Sequence, residues 1–284
     1  MSLVDTIKVV KGLLNPNHIK FAVSYLKKYG YLREDFTLND FVAAVVKFHQ
    51  YFHIKSEELT LESITAMAGI RCGCPDNEHI VEDATQAPKW GRKTLSYYVD
   101  SYVNGLTKEK QGEIYQRAYD SISKVCGLTF VRVNSSSSAQ IVITTSNSRK
   151  DELGTPSGVL AFAELPPSNN FDGQLEMTID LAETWIDNPT NRGILLQNVF
   201  CHESGHNLGL THSKIQGALM APYYNAAIAV PQQQDDVTRL QALYGKGVVT
   251  TPTPIPTEPE DLVIRIKGSV KELAIDGYRV SKLG

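Results

Sequence analysis

The segment HESGHNLGLTH, residues 202–212, constrains the fold more than any other part of the 284-residue chain. On a helix, His202 and His206 lie about one turn apart, so their imidazoles project from the same face. Gly209 permits a backbone conformation that other residues rarely adopt, so the helix can end and the chain can return His212 to the same point. Three neutral imidazoles can hold Zn²⁺ and leave one coordination position open.

Glu203 directly follows the first of these histidines. A water molecule in the open position would have a pKa of about 7, and the adjacent carboxylate could take its proton during attack on a carbonyl. A bare HExxH pair can equally be two ordinary helix residues, but the added Gly209 and His212 strongly favour a metal site. The other four histidines all precede the predicted sheet: His18, His49, His53 and His79. The segment therefore predicts metal-assisted peptide hydrolysis.

Helical periodicity dominates the first seventy or so residues. Apolar positions recur at helical spacing in HIKFAVSYLKKYG and LNDFVAAVVKFHQYFH, and TLESITAMAG reads as a third, shorter helix. These segments predict a small helical bundle within residues 1–76. Residues 77–91 have neither period and contain Pro88, which predicts an exposed connector that a protease could cut.

From Thr94 onwards the chain has short runs rich in β-branched and aromatic residues. Five runs predict strands: TLSYYVD, TFVRV, QIVITT, GVLAFAE and QLEMTID. One helix is predicted between the first two runs, and two more over about 191–208 and 233–244. Residues 92–247 are therefore predicted to form an α+β domain. The Pro/Thr-rich residues 248–260 predict a linker, and residues 261–284 a short β-rich tail.

Charge and hydropathy argue against several classes of partner. The net charge of -3 and the even spread of Lys and Arg give no basic patch for nucleic acid. No run approaches the roughly 18–20 apolar residues of a membrane span. Charged residues interrupt the apolar start of the chain, so we expect no signal peptide there. Four cysteines are too few for a disulfide scaffold.

These motifs resemble the matrixins, the matrix metalloprotease family of metzincin zinc peptidases. Met220, in GALMAPYY, is similar to the family's Met-turn methionine beneath the zinc ligands. QQQDDVTRLQALYG is similar to its C-terminal helix, APKW to the start of its catalytic domain, and the N-terminal helices to its propeptide. The resemblance covers roughly residues 17–245. It implies a twisted, mostly parallel five-stranded sheet with three helices, and a secreted, monomeric endopeptidase that acts on proteins or peptides.

The same resemblance implies where a substrate binds. A peptide would add along the edge strand GVLAFAE, with Leu160 and Ala161 offering backbone groups. Tyr223 and Tyr224 would help to form the pocket for the side chain that follows the cut bond, which we expect to be apolar. Ordinary packing is an equally good interpretation of these two tyrosines.

The segment RCGCPD resembles the matrixin cysteine switch, Arg-Cys-Gly-x-Pro-Asp. A Cys72 thiolate in the open position would complete a site of three histidines and one cysteine and exclude water. Arg71 and Asp76 would pair to hold the loop in shape. The resemblance thus implies a latent zymogen that an activating protease cuts within residues 77–88.

The remaining cysteines have no assigned role. Cys74 is either a spectator thiol or the partner of Cys72 in a small strained disulfide ring that would act as a redox trigger. Cys126 and Cys201 lie in two predicted helices, where free buried thiols are favoured over a disulfide.

Two further metal sites of the family are altered in this chain. Phe162 and Thr178 stand where two ligands of a second, structural zinc would be, so no second histidine-bound zinc is expected. Gly154 replaces an expected aspartate. Asp180 and Glu183 stand at the positions of a calcium-binding pair; hard oxygens suit Ca²⁺, although such carboxylates are also common as helix caps or solvated charges.

Two alternative functions remain open at this stage. The protein could be an inactive zinc-binding scaffold, which the intact Glu203 disfavours. The N-terminal bundle is also similar to small peptidoglycan-binding domains, which would make the chain a cell-wall-targeted metallopeptidase. A targeting module would not need the cysteine segment.

Overall fold

The structure is a computed structural model of the chain and describes residues 14–76, 87–148 and 153–247. The predicted linker and tail, and most of the predicted connector, lie outside these residues. The first described part contains three helices: α1 (Pro16–Lys28), α2 (Leu38–Phe52) and α3 (Leu61–Met67).

Each of these helices begins at a polar cap. The side chains of Asn15, Thr37 and Thr60 accept hydrogen bonds from backbone N–H groups of the first turn, which satisfies donors that have no partner within the helix. The apolar faces of the three helices form one buried cluster, which includes Leu26, Phe41, Phe48 and Met67. The predicted helical bundle is therefore present.

The second part contains a five-stranded sheet. Its strands are β1 (Thr94–Val99), β2 (Thr129–Arg132), β3 (Ile141–Ser146), β4 (Ala161–Ala163) and β5 (Leu175–Asp180). Their order is β2-β1-β3-β5-β4. All neighbouring pairs are parallel except β4 with β5, and β4 forms an edge of the sheet. The predicted α+β class and the mostly parallel sheet are confirmed.

Three helices accompany the sheet: α4 (Lys108–Val125), α5 (Leu196–Asn207) and α6 (Gln234–Tyr244). Two short strands precede α5, namely β6 (Trp185–Ile186) and β7 (Ile194–Leu195), and they pair with each other. The predicted helix over about 191–208 therefore begins only at Leu196, because residues 194–195 are drawn into strand pairing. The predicted strand GVLAFAE is likewise shorter, at 161–163.

Helix α5 is buried along almost its whole length, packed against α4 and the sheet. Tyr115 stacks on Phe200 with ring centroids 4.3 Å apart, and Tyr119 contacts the same ring at 5.0 Å. The polar residues of α5 therefore lie inside the protein, where they need partners. None of the helices in the described ranges combines the length and apolar character that crossing a bilayer requires.

Phe200→Ala should lower the free energy of unfolding by about 3–5 kcal/mol, because it removes a ring packed between α4 and α5 and leaves a cavity. Phe21→Ala is the matched control: its ring is 39% exposed, so we expect a loss of about 1 kcal/mol or less. Urea denaturation followed by intrinsic fluorescence measures both variants. Equal losses would contradict the packing described here.

Candidate active site and metal centre

Three histidines converge at α5 and the turn that follows it. The ring centroids of His202 and His206 are 5.0 Å apart on one face of the helix. Gly209, with φ of 91°, lies just beyond the end of α5, and the chain then returns His212 so that its Nε2 lies 3.2 Å from Nε2 of His206. The structure thus brings these predicted ligands together in a buried position.

The first two imidazoles are oriented by hydrogen bonds at Nδ1. His202 donates from Nδ1 to the carbonyl of Leu219, and His206 to the carbonyl of Leu210, both at 2.7 Å. Because a carbonyl only accepts, each Nδ1 carries the proton and each Nε2 keeps its lone pair. The two rings therefore present neutral nitrogen donors to the space between them.

The residues present fit a zinc ion. Burial lowers the pKa of His202 to about 3 and also lowers the pKa of His206 and His212, so all three are neutral near pH 7. Nε2 of His202 is buried with no hydrogen-bond partner among the described residues, which is rare for such an atom. Cys72 and the three histidines place one ligand atom each within 4.8 Å of one another. Three nitrogens and one sulfur are a donor set that Zn²⁺ accepts.

Cys72 and Glu203 face the same point as the histidines. The Cys72 Sγ lies 3.5 Å from Nε2 of His206, and burial raises the pKa of this thiol. A coordinated Zn²⁺ would reverse that effect, since a metal-bound thiol loses its proton. Burial also raises the pKa of Glu203 to about 8. Both carboxylate oxygens of Glu203 lack a hydrogen-bond partner within the described part of the chain.

Met220 packs directly against α5. It is fully buried, and a Cβ added at Gly205 would lie 2.3 Å from its Sδ. The turn that carries it is fixed by Asp236 of α6, which accepts the backbone N–H groups of Leu219 and Met220 at 2.7 and 3.1 Å. Because the carbonyl of Leu219 also accepts the hydrogen bond from His202, this turn fixes the orientation of that histidine.

The segment that follows α3 pairs with the edge of the sheet. Arg71 accepts the N–H of Leu160 at 3.0 Å and donates its own N–H to Gly158 at 3.2 Å, and Gly73 donates to Ala161 at 2.8 Å. Leu160 and Ala161 are the residues predicted to receive a substrate. In this structure the backbone groups of Leu160 and Ala161 are instead bonded to Arg71 and Gly73 of the same chain.

The other side of this segment is bound by residues after Met220. Cys72 donates its N–H to Pro222, and Tyr224 donates to Ile70, both at 3.0 Å. The segment therefore has backbone partners on both sides, as a peptide bound by strand addition would have.

Arg71 and Asp76 form a buried, bidentate ion pair. The Nη2–Oδ1 and Nη1–Oδ2 distances are 2.5 and 3.1 Å, and the side chains are 2% and 0% exposed. The hydroxyl of Tyr31 donates to Oδ2 at 3.0 Å, and His212 Nδ1 lies 2.9 Å from Oδ1. Burial would raise the pKa of Asp76, but the charge of Arg71 and the hydrogen bonds from His212 and Arg71 hold it below its usual value.

Tyrosine rings enclose the Arg71 guanidinium. Its Cζ lies 3.5 Å from the ring centroid of Tyr29, 5.5 Å from that of Tyr25 and 5.3 Å from that of Tyr223. Arg71 also donates to the Tyr25 hydroxyl, which lies 2.9 Å from the Tyr223 hydroxyl. These cation–π contacts stabilise the charge away from water. They also join the helical bundle to the part of the chain that contains the sheet.

Tyr223 and Tyr224 line a small cavity of about 20 Å³ beside the histidines. The Tyr224 hydroxyl accepts the N–H of Leu195 at 2.9 Å, so its ring is fixed. Asn198 of α5, which sequence reasoning missed, also lines this cavity and donates to the carbonyls of Asn225 and Ile228. The only hint in the sequence is a polar residue within the apolar start of α5.

Asp180 and Glu183 are both buried and both bind the loop before β4. Asp180 Oδ1 accepts the N–H of Gly154 at 2.8 Å, and Glu183 Oε1 accepts that of Ser157 at 2.6 Å. They are therefore not solvated charges. Oδ2 of Asp180 has no hydrogen-bond partner among the described residues, and burial together with Asp180 raises the pKa of Glu183.

The other departures from the family pattern also have a place in the structure. Phe162 and Thr178 are cross-strand partners on β4 and β5.

All four cysteines are free and buried. The Cys74 thiol both donates to the carbonyl and accepts the N–H of Ala163, at 3.3 and 3.4 Å, so it docks this segment on β4. Cys126 and Cys201 are unpaired thiols, as favoured above.

A buried triad of histidines on a helix and its following turn, with an adjacent glutamate and a sheet edge that pairs with an extended segment, defines a zinc-metallopeptidase type of site. The Peptidase M10 family model, described as Matrixin, matches residues 89–245. This match spans more than half of the chain, and the chain therefore belongs to the matrixin family.

Relatives extend the similarity beyond that stretch. The interstitial collagenase of Equus caballus is 30% identical over 220 residues, which cover 74% of this chain and 45% of that protein. Matrix metalloproteinase-C of Caenorhabditis elegans is 30% identical over 253 residues, covering 80% and 43%. The neutrophil collagenase of Homo sapiens is 31% identical over 224 residues, covering 74% and 46%. The chain thus spans less than half the length of these relatives.

Gly205→Ala should destabilise the protein by about 1–3 kcal/mol, because the new methyl group would overlap Met220 and force the buried sulfur to shift. Gly112→Ala, in the interior of α4, is the matched control. Its methyl group would meet only the movable end of Arg132, at 3.0 Å, so the better helix propensity should stabilise by about 0.5–1 kcal/mol. Calorimetric unfolding should show opposite shifts in Tm; shifts of the same sign would contradict the contact with Met220.

Proposed function

We propose that the protein is a zinc endopeptidase made in a latent form, with Zn²⁺ held by His202, His206 and His212. When bound there, Zn²⁺ would supply a Lewis acid that polarises the scissile carbonyl and lowers the pKa of water. Glu203 would act as the general base, because the charge of Zn²⁺ would lower its raised pKa and restore the carboxylate form. Its place in one buried group with Cys72 and His206 supports this role.

The convergence of the Cys72 sulfur with three histidine nitrogens is the observation that carries the proposal of latency. In the latent chain, Cys72 would take the position that water needs, and residues 70–73 would fill the cleft that a substrate needs. The hydrogen bonds of this segment to Leu160, Ala161 and Pro222 support that view. Cleavage within residues 77–88, which lie largely outside the described residues, would allow residues 1–76 to leave as a propeptide.

The substrate class follows from the cleft. An extended peptide would pair with Leu160 and Ala161 on one side and with residues 222–224 on the other. The small cavity lined by Tyr223 and Tyr224 would widen when Cys72, which also lines it, leaves the cleft, and it would then receive the side chain that follows the cut bond. Its tyrosine and leucine lining favours an apolar side chain. We propose protein or peptide substrates, in keeping with the names of the collagenase relatives. We also propose that the enzyme is monomeric and acts outside the cell.

A calcium ion at Asp180 and Glu183 is a further part of the proposal. Two buried carboxylates near each other, one with an oxygen that has no hydrogen-bond partner among the described residues, are the hard donors that Ca²⁺ prefers. The ion would remove their mutual repulsion and stiffen the loop before β4.

A cell-wall-targeting role for the bundle is less well supported. Tyr25 and Phe52 of the bundle contact Tyr223, with the hydroxyls 2.9 Å apart in the first case and the ring centroids 4.9 Å apart in the second. The bundle therefore uses this face to cover the cleft. An inactive zinc scaffold would not need Glu203, which lies in one buried group with Cys72 and His206.

Cys72→Ser should make the uncut chain active, because a serine hydroxyl is a much weaker zinc ligand than a thiolate, and without that bond residues 70–73 would leave the cleft often enough to admit a substrate. The test is cleavage of a fluorogenic peptide by the zinc-loaded full chain, with and without an organomercurial that removes thiolates from the metal. We expect activity of the wild-type chain only with the mercurial, and of Cys72→Ser without it. Cys126→Ser, which alters a buried thiol away from the site, should stay latent. A silent Cys72→Ser protein that binds zinc would refute latency through Cys72.

Glu203→Gln in the Cys72→Ser background should lower kcat by about 10²–10⁴-fold, because the amide cannot take a proton from water. The isosteric change should leave zinc binding intact, which metal analysis of the same sample would establish. Glu113→Gln, on the exposed side of α4, is the matched control and should cut at the parent rate. Equal kcat values for the two variants would exclude Glu203 as the general base.

A further inference from the structure

Asp76 contacts the third histidine from the side opposite its metal-facing nitrogen. His212 Nδ1 lies 2.9 Å from Oδ1 of Asp76, and neither side chain has exposed surface. Nε2 of the same ring lies 3.2 Å from Nε2 of His206. The ring therefore bridges the carboxylate and the metal site.

The group that accepts the hydrogen bond from Nδ1 of His212 differs in kind from the acceptors that bind His202 and His206. His202 and His206 donate to the backbone carbonyls of Leu219 and Leu210, which follow them in the same part of the chain. His212 donates to a charged carboxylate that belongs to the N-terminal segment. A carboxylate bound to the back of a zinc-ligating histidine fixes the ring and makes it a stronger donor, and loss of such a partner typically costs about 10–100-fold in metal affinity.

The carboxylate is itself held in place. Arg71 binds both of its oxygens, Tyr31 donates to Oδ2, and the Asp76 backbone N–H donates to Tyr29 at 3.1 Å. These contacts leave Oδ1 aimed at His212. The orientation of Asp76 is therefore fixed by groups that are not themselves candidate metal ligands.

We propose that Asp76 is a positioning residue of the zinc site, which orients His212 and strengthens it as a donor in the latent chain. This inference rests on the proposed zinc site. The N-terminal segment then secures the metal from two sides: Cys72 from the front and Asp76 from behind His212. Removal of the segment takes away both, so the cut enzyme should release zinc faster than loss of the thiol alone explains.

The test measures zinc release from the full-length chain to an excess of a chromogenic chelator. Asp76→Asn keeps the shape of the side chain but removes its charge. Tyr31→Phe is the matched control, because it removes a hydrogen bond to the same carboxylate without touching its contact with His212. We expect release about 10–100-fold faster for Asp76→Asn and within about threefold of wild type for Tyr31→Phe. Similar rates for both variants, fast or slow, would overturn the proposal.

A second set of measurements, made on chains that carry Cys72→Ser, separates an effect of Asp76 on His212 from an effect on Cys72. In Cys72→Ser there is no thiolate left to hold, so an Asp76 that acted only through the cysteine loop would have no further effect on release. A further increase on adding Asp76→Asn supports direct action on His212, and an unchanged rate refutes it. A wild-type chain that binds no stoichiometric zinc would overturn the proposed function itself, whereas tight zinc binding that is indifferent to Asp76 would overturn this inference alone.

Discussion

The buried ion pair of Arg71 and Asp76 requires other groups to replace the water that both charges lose. Tyr31 and His212 bind the carboxylate, and Tyr25 of α1 and Tyr29 just after it bind the guanidinium. Breaking such a pair typically costs about 3–5 kcal/mol, because the remaining charge is left buried alone. The fold of the bundle is therefore coupled to the position of the residue between them in the cleft, Cys72.

The ion pair also fixes the register of the segment in the cleft. Successive side chains of an extended segment point to opposite sides, so Arg71 reaches the tyrosines while Cys72 reaches His206. A slip of one residue would exchange these directions, burying a charge among the three histidines and sending the thiol towards the bundle. The specific pairing of Arg71 thus excludes the wrong register, which backbone hydrogen bonds to β4 could not do by themselves.

The sequence was informative where the pattern is local. The periods of α1, α2 and α4 and the spacing of His202 and His206 depend on neighbours within one or two turns, so those elements were predictable. The start of α5 was not, because residues 194–195 pair with β6, which lies earlier in the chain. Asp236 and Tyr25 were missed for the same reason: each acts on a residue far along the chain, and no periodicity records such a contact.

In the proposed latent enzyme, cutting the connector breaks the covalent link between the bundle and the rest of the chain but removes none of the contacts between them. A tethered segment experiences an effective concentration in the millimolar range, so at micromolar protein the cut weakens docking by about 10³-fold, or about 4 kcal/mol. Arg71 and Asp76 both belong to the released part, so the ion pair leaves intact with the bundle. The surface of separation runs between Tyr25 and Tyr223 and between Asp76 and His212. Separation there leaves no charge buried without its partner, which allows the propeptide to depart as a folded unit.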